Sequence, residues 1–222
     1  TLGANTKTLG SSVFASMKAL TSVTFADGTE ALPGHVLQNC SALQSVSIPA
    51  SVTSIGSYAF SGCTVLNGVT LPENLETVGT YAFQNCKALN KVVLPEKVTA
   101  IPNAMFNGCA ALDSIDIKGT VTSIGNQAFA GCAFKRFELP STLNTLGQKV
   151  FQNCAELDSV AIPASVTSMG TYVFSGCKAL TYVELGTGIS KLPQYTFQNC
   201  TALSDLVIPD NYTAVDNYAV SG

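Results

Sequence analysis

Eight cysteines, Cys40, Cys63, Cys86, Cys109, Cys132, Cys154, Cys177 and Cys200, stand at successive separations of 23, 23, 23, 23, 22, 23 and 23 residues. A beat held along a 222-residue chain constrains the fold more tightly than any local propensity. A unit this short cannot bury its own apolar face and does so only against the units before and after it, so the chain reads as a stacked coil. Other positions keep the same step. The aromatic three residues before the cysteine recurs as Phe14, Phe60, Phe83, Phe106, Phe129, Phe151, Phe174 and Phe197, with Leu37 and Val220 substituting. Met17 stands one step before Cys40.

Counting forward from each cysteine, a leucine follows at Leu43, Leu66, Leu89, Leu112, Leu157, Leu180 and Leu203. Further on come Val46, Val69, Val92, Ile115, Val160, Val183 and Leu206, then Ile48, Leu71, Leu94, Ile117, Ile162, Leu185 and Ile208. The last two columns alternate with period two, which predicts a short strand with one face buried. Proline closes most copies, at Pro49, Pro72, Pro95, Pro140, Pro163 and Pro209, and ends the ladder by removing a donor. Gly56, Gly79, Gly125, Gly147 and Gly170 share a column with Pro33, Pro102 and Pro193. Proline cannot take positive φ, so this column is read as the first residue of a short helical turn. Just before the cysteine stand Asn39, Gly62, Asn85, Gly108, Gly131, Asn153, Gly176 and Asn199, the mark of a left-handed residue closing that turn.

Composition excludes several classes. Lys+Arg 11 against Asp+Glu 14 leaves a net charge of −3, so no basic field exists to displace counterions from nucleic acid. Charged residues are only 11% of the chain, well under the roughly 25% of ordinary soluble domains. No apolar run approaches the roughly 18 residues of a membrane helix, and the first residues lack a signal-peptide pattern.

Equal spacing lines the thiols up one strand apart with parallel Cβ vectors. That suits neither a disulfide nor a tetrahedral metal site, so buried free thiols are expected, with no metal and no cofactor. His35, the single histidine, has no nucleophile placed beside it by the period and is expected to pack in a turn. Asp113, Asp116, Glu138 and Asp158 fall on neighbouring strands, where acid–base work on a sugar and a solvated sheet face are both open readings. Charge gathers on the outward strand positions of the middle repeats: Lys91, Asp113, Asp116, Lys135, Arg136, Glu138 and Asp158, followed by Tyr182 and Glu184. These nine residues are the candidate partner-binding face, with Arg136 and Tyr182 as anchors of the type enriched at interfaces. A second stripe, Tyr58, Tyr81, Tyr172, Tyr195 and Tyr218, lies one residue before an inward small side chain and offers either ring packing or a sugar-gripping ladder. Asn39, Asn199 and Asn211 begin N-x-S/T triplets; the first two sit in the tight cap and are read as geometric.

The unit Leu43 to Cys63, L-x-x-V-x-I-P-x-x-V-T-x-I-G-x-x-A-F-x-x-C, resembles the BspA-like class of leucine-rich repeats, and the likeness runs through essentially the whole chain. The expected fold is α/β: a single leucine-rich-repeat solenoid over residues 1–222, with one parallel sheet face, short second extended segments, short helical turns and about nine to ten repeats. Lys118 and Gly186 replace the closing proline, and the interval after Cys132 has lost one residue, with Phe134 in the leucine slot, which is expected to bend or tighten the coil locally. The resemblance implies a cell-surface or secreted module, of the kind known from mucosal bacteria and some parasitic protists, attaching to host extracellular proteins or neighbouring cells without catalysis. A carbohydrate-binding module on the tyrosine stripe, an intracellular interaction scaffold and a glycoside-processing enzyme using Asp116 are the alternatives. Neither end carries a polar capping unit, so a piece of a longer protein or end-to-end self-association is expected.

Overall fold

The computed structural model describes residues 6–222, a parallel-strand solenoid of about eight turns of about 23 residues each; Thr1, where one expected bare edge lies, is outside the described residues. Among the described residues, fifteen short strands fall into two columns. One column holds β1 (Ser22–Thr24), β3 (Ser45–Ser47), β6 (Lys91–Leu94), β8 (Ser114–Ile117), β11 (Ser159–Ala161) and β13 (Tyr182–Glu184). The other holds β2 (Ala31–Leu32), β4 (Ser54–Ile55), β5 (Thr77–Val78), β7 (Ala100–Ile101), β9 (Ser123–Ile124), β10 (Thr145–Leu146), β12 (Ser168–Met169), β14 (Lys191–Leu192) and β15 (Ala214–Val215). Every pairing is parallel and links residues one repeat apart, such as Val23 with Val46 and Ile55 with Val78.

Between the columns runs one dry core. Phe60, Phe83, Phe106, Phe129, Phe151 and Phe174 are fully buried and stack with ring centroids 5.1–5.7 Å apart. All eight cysteines are free and buried beside them. Each thiol donates to a carbonyl of the preceding turn, as Cys86 Sγ does to Phe60 O at 3.1 Å and Cys109 Sγ to Phe83 O at 3.1 Å. A small apolar side chain with one weak donor meets both demands of the site, burial and an otherwise half-satisfied carbonyl.

The expected helical turns are not formed among the described residues. In Gly56–Cys63 the N–H groups of Ala59, Ser61 and Cys63 reach back three residues, to Gly56, Tyr58 and Phe60. Those of Tyr58, Phe60 and Gly62 instead donate to Thr80, Ala82 and Gln84 of the next turn. A helix would turn all its donors inward along itself. Here half of them point along the solenoid axis, because two residues of each segment are left-handed: Tyr58 at φ 58° and Gly62 at φ 77°. The column of Tyr58 is left-handed at every described copy, Ser12, His35, Tyr81, Ala104, Gln127, Lys149, Tyr172, Tyr195 and Tyr218 included. Each such residue costs about 1 kcal/mol, offset by the inter-turn bond it aims.

The Asn/Gly column is left-handed as the sequence suggests, from Asn39 at φ 59° to Asn199 at φ 59°. Its alternation has a steric cause. A Cβ on Gly62, Gly108 or Gly176 would fall within 3.0 Å of the Oδ1 of Asn39, Asn85 or Asn153, one turn earlier. An asparagine must therefore be followed, one turn on, by glycine. Asn211, the third triplet asparagine, donates through Nδ2 to Thr187 O and Ile189 O at 3.1 and 2.8 Å.

The column shared by glycine and proline has a different role from the one expected. Gly56, Gly79, Gly125, Gly147 and Gly170 donate to Leu32, Ile55, Ile101, Ile124 and Leu146 of the preceding turn, and a Cβ on any of them would press within 3.0 Å of that turn's backbone. These glycines are sites of close approach. Proline has no N–H to give, and the second column breaks at the prolines: β5 does not pair with β7, where Pro102 follows, nor β12 with β14, where Pro193 follows.

Candidate binding face

The strand face is not the single continuous sheet expected. β1 pairs with β3, β6 with β8 and β11 with β13, while the turns between contribute only the bridges Gly68–Lys91 and Arg136–Ser159. Outward positions form two columns along the axis. One runs Lys91, Ser114, Arg136, Ser159, Tyr182; the other holds Val93 beside Asp116 and Ala161 beside Glu184. The two anchors Arg136 and Tyr182 are separated by the one strand of Ser159, two strand spacings or about 10 Å, while Lys91 lies beyond Ser114 on the other side.

All nine candidate residues reach solvent. Lys91, Asp113, Lys135, Arg136, Glu138, Tyr182 and Glu184 are exposed, and Asp116 and Asp158 half-exposed. Arg136 Nε lies 3.7 Å from Asp158 Oδ1, whose oxygen also accepts from Ser159 Oγ at 2.6 Å. Lys118 Nζ holds Asp116 at 2.7 Å. Lys118 stands where most repeats have proline, and its N–H donates to Leu94 O, carrying the β6–β8 contact one residue further.

The repeat that lost a residue interrupts this face. Ala133 N–H still donates to Leu112 O, but no ladder bond joins β8 to the following stretch 135–139. Phe134 and Phe137 fill the leucine and valine slots, buried and packed edge-on at 5.0 Å, with Phe137 also against Phe151 at 4.8 Å. Beside them lies a cleft of about 580 Å³ whose walls include Asp113, Asp116, Arg136 and Glu138. On the far side of Arg136–Leu139 a second hollow of about 350 Å³ reaches Tyr182. The structure therefore brings Asp113, Asp116, Arg136, Glu138 and Tyr182 around one segment, and leaves Lys91, Lys135, Asp158 and Glu184 outside the larger cleft. Sequence reasoning missed the cleft itself; its signal was the 22-residue interval between Cys132 and Cys154.

The tyrosine stripe is packed. Tyr58 stacks on Tyr81 at 4.6 Å, Tyr172 on Tyr195 at 4.4 Å and Tyr195 on Tyr218 at 5.3 Å, while Lys149 Nζ covers the other face of Tyr172. Stacking occupies both faces of Tyr58 and Tyr195 and one face each of Tyr81, Tyr172 and Tyr218, so the stripe is in large part packed on itself. His35 stacks on Tyr58 at 4.9 Å and its Nδ1 is 3.0 Å from Gln38 Oε1, which is turn packing. Burial pushes the thiols of Cys63, Cys109 and Cys154 up to about 12, against the nucleophilic role of a lowered one.

The family model for the BspA type leucine rich repeat region matches residues 1–113 and 99–222, with six copies. No curated protein matches the chain. Among solved structures, a leucine rich cell surface protein from Faecalibacterium prausnitzii A2-165 is similar over 91% of this chain and 70% of its own, at 25% identity and a TM-score of 0.62. A leucine rich repeat protein of T. pallidum is similar over 83% of this chain and 78% of its own, at 28% identity and TM-score 0.57. A leucine-rich repeat protein from Bacteroides ovatus shares the fold at 23% identity and TM-score 0.55, with 93% of this chain aligned to 65% of that one.

Proposed function

The chain belongs to the BspA type leucine-rich repeat family, and from that premise we propose that residues 1–222 form a single non-enzymatic recognition domain, displayed at a cell surface, that docks a protein partner on its main strand face. Solenoids of this family are generally non-enzymatic interaction modules, and no enzymatic family is indicated. One observation carries the reading. In a chain with 25 charged residues, charge concentrates on a strip around the interrupted repeat, where the sheet gives way to a cleft lined by Arg136, with Tyr182 on the second hollow behind that segment. A scaffold whose turns are bonded to one another loses little freedom on association, so a few such anchors suffice. A cell-surface site accords with the similar Faecalibacterium protein, itself a leucine rich cell surface protein.

The test is a binding screen of the immobilised chain against purified host extracellular proteins, followed by Tyr182→Ala and the double variant Lys91→Ala/Arg136→Ala on any hit. Loss of about 10-fold or more in affinity with an unchanged melting temperature supports the face. Affinity untouched by all three substitutions refutes it. The glycan reading is less favoured, because most ring faces of the tyrosine stripe stack on one another.

A further inference from the structure

Two Asn-Gly dipeptides occur in the chain, Asn67-Gly68 and Asn107-Gly108. We infer that the first is a self-modification site, where Asn67 cyclises onto the Gly68 nitrogen and loses ammonia, and that the fold protects the second from the same reaction.

The difference begins with what each glycine nitrogen donates to. At the place of Gly68 in other turns, Ser45, Ser114 and Tyr182 donate to Thr21 O, Asn90 O and Asp158 O of the preceding turn at 3.4, 3.4 and 3.3 Å. Gly68 follows a lapse in the strand face, since β3 pairs with β1 and not with the turn after it. Its N–H therefore has no backbone acceptor among the described residues, although the same stretch is held on its other edge by the bridge to Lys91. Asn67 and Gly68 are both exposed, and a Cβ on Gly68 would meet nothing within 4 Å. The nitrogen is thus free to turn onto Cγ of Asn67, and glycine puts no side chain in the way.

Asn107-Gly108 lies in the tight turn before Cys109. Gly108 N–H donates to Ala130 O at 2.8 Å, and Asn107 O accepts from Asn85 N at 2.8 Å. Gly108 is left-handed at φ 74°, with Asn85 Oδ1 where its Cβ would stand. Ring closure there must first break an inter-turn bond and lift the turn from its neighbour.

The reaction balances with water alone. Hydroxide takes the Gly68 amide proton, the nitrogen attacks Cγ, and Nδ2 leaves as ammonia with a proton from water, giving a succinimide. Water then opens the ring at either carbonyl. One product is aspartate with the peptide bond restored; the other is isoaspartate, with the chain running through the former side-chain carbonyl. Either adds one negative charge to a chain of net charge −3, in the outward column where Asn90 and Asp113 follow at one-turn steps. Isoaspartate also lengthens the backbone by one carbon beside the Gly68–Lys91 bridge.

The test incubates the folded protein warm at neutral and at mildly alkaline pH over weeks, digests it under acidic conditions and maps the peptides by chromatography and mass spectrometry. The peptide carrying Asn67 should gain one dalton, faster at the higher pH, and split into aspartate and isoaspartate forms. The peptide carrying Asn107 should gain it about 10-fold more slowly or less, the factor that about 1.4 kcal/mol of local opening supplies. In urea the two sites should react at similar rates. Gly68→Ala, for which the structure leaves room, should keep the melting temperature and slow the reaction at Asn67, because a side chain then crowds the attacking nitrogen. Equal rates at the two sites in the folded protein, no gain at Asn67 while the unfolded chain reacts there, an Asn107 that stays inert in urea, or an unchanged rate in Gly68→Ala would each overturn the inference.

Discussion

Reversing one step of the Asn/Gly alternation tests whether the turns are packed as tightly as the structure states. In Gly108→Asn the backbone conformation itself is acceptable, since Asn85 and Asn153 hold φ 57° and 59° in the same column against 74° at Gly108. The steric demand is what changes. The new Cβ falls within 3.0 Å of Asn85 Oδ1, so the carboxamide must swing out or the turn must lift from its neighbour. Overpacking of this kind costs about 1–3 kcal/mol, which at about 2–4 °C per kcal/mol for a chain of this size lowers Tm by roughly 2–12 °C. Asn85→Gly alone should cost less than about 1 kcal/mol, through the added freedom of the unfolded chain. The double variant Asn85→Gly/Gly108→Asn places Gly, Gly, Asn, Gly at 62, 85, 108 and 131, so every asparagine is again followed by glycine. Thermal melts followed by circular dichroism should show the double variant more stable than Gly108→Asn, with a coupling of about 1–3 kcal/mol. Simple additivity would refute the reasoning, because it would mean that the two sites do not touch across the turn.

Three further outcomes follow from the same packing. The thiols of Cys63, Cys109 and Cys154 are raised by burial from 9.0 to about 12, so the unfolded chain loses these protons first; their contribution to stability is complete below about pH 9 and falls by about 1 kcal/mol per thiol per pH unit between 9 and 12. Tm should therefore be level from pH 7 to 9 and drop steeply above it, and a Tm that holds to pH 11 would contradict the burial. Pro102→Gly restores a donor opposite Val78 O, and hydrogen exchange should show the amide at position 102 protected like that of Gly125; exchange at the free rate would show that something other than the missing N–H breaks the second column there. Phe151→Ala removes a ring stacked between Phe129 and Phe174 at 5.6 and 5.5 Å and should cost about 3–5 kcal/mol by urea denaturation, whereas Tyr182→Ala, 59% exposed, should cost less than about 0.5.

The cysteine period, the inward columns and the left-handed Asn/Gly site were legible because each is written in residue type at every copy. The helical turns were misread because the second left-handed position gives no such signal: tyrosine, histidine, alanine, glutamine and lysine all stand there, and the inter-turn bonds, not the side chains, hold φ positive. The role of Gly56 and its equivalents was hidden by the prolines in the same column, which looked like interchangeable helix starters and are instead the points where the second ladder opens. At the candidate face, the outward charges of Asp113, Asp116, Arg136 and Glu138 could be placed by counting, but the break beside them could not. It depends on how a turn one residue short seats Phe134 and Phe137, which is a packing outcome between neighbours.

The central claim is that the 23-residue beat winds the chain into a coil with every cysteine reduced and shut inside. Titration with a thiol reagent, first on the folded protein and then in denaturant without reductant, tests it directly: no thiol should react in the folded state and all eight in the unfolded one. Rapid reaction of the central cysteines in the folded protein, or fewer than eight thiols after unfolding, would contradict it.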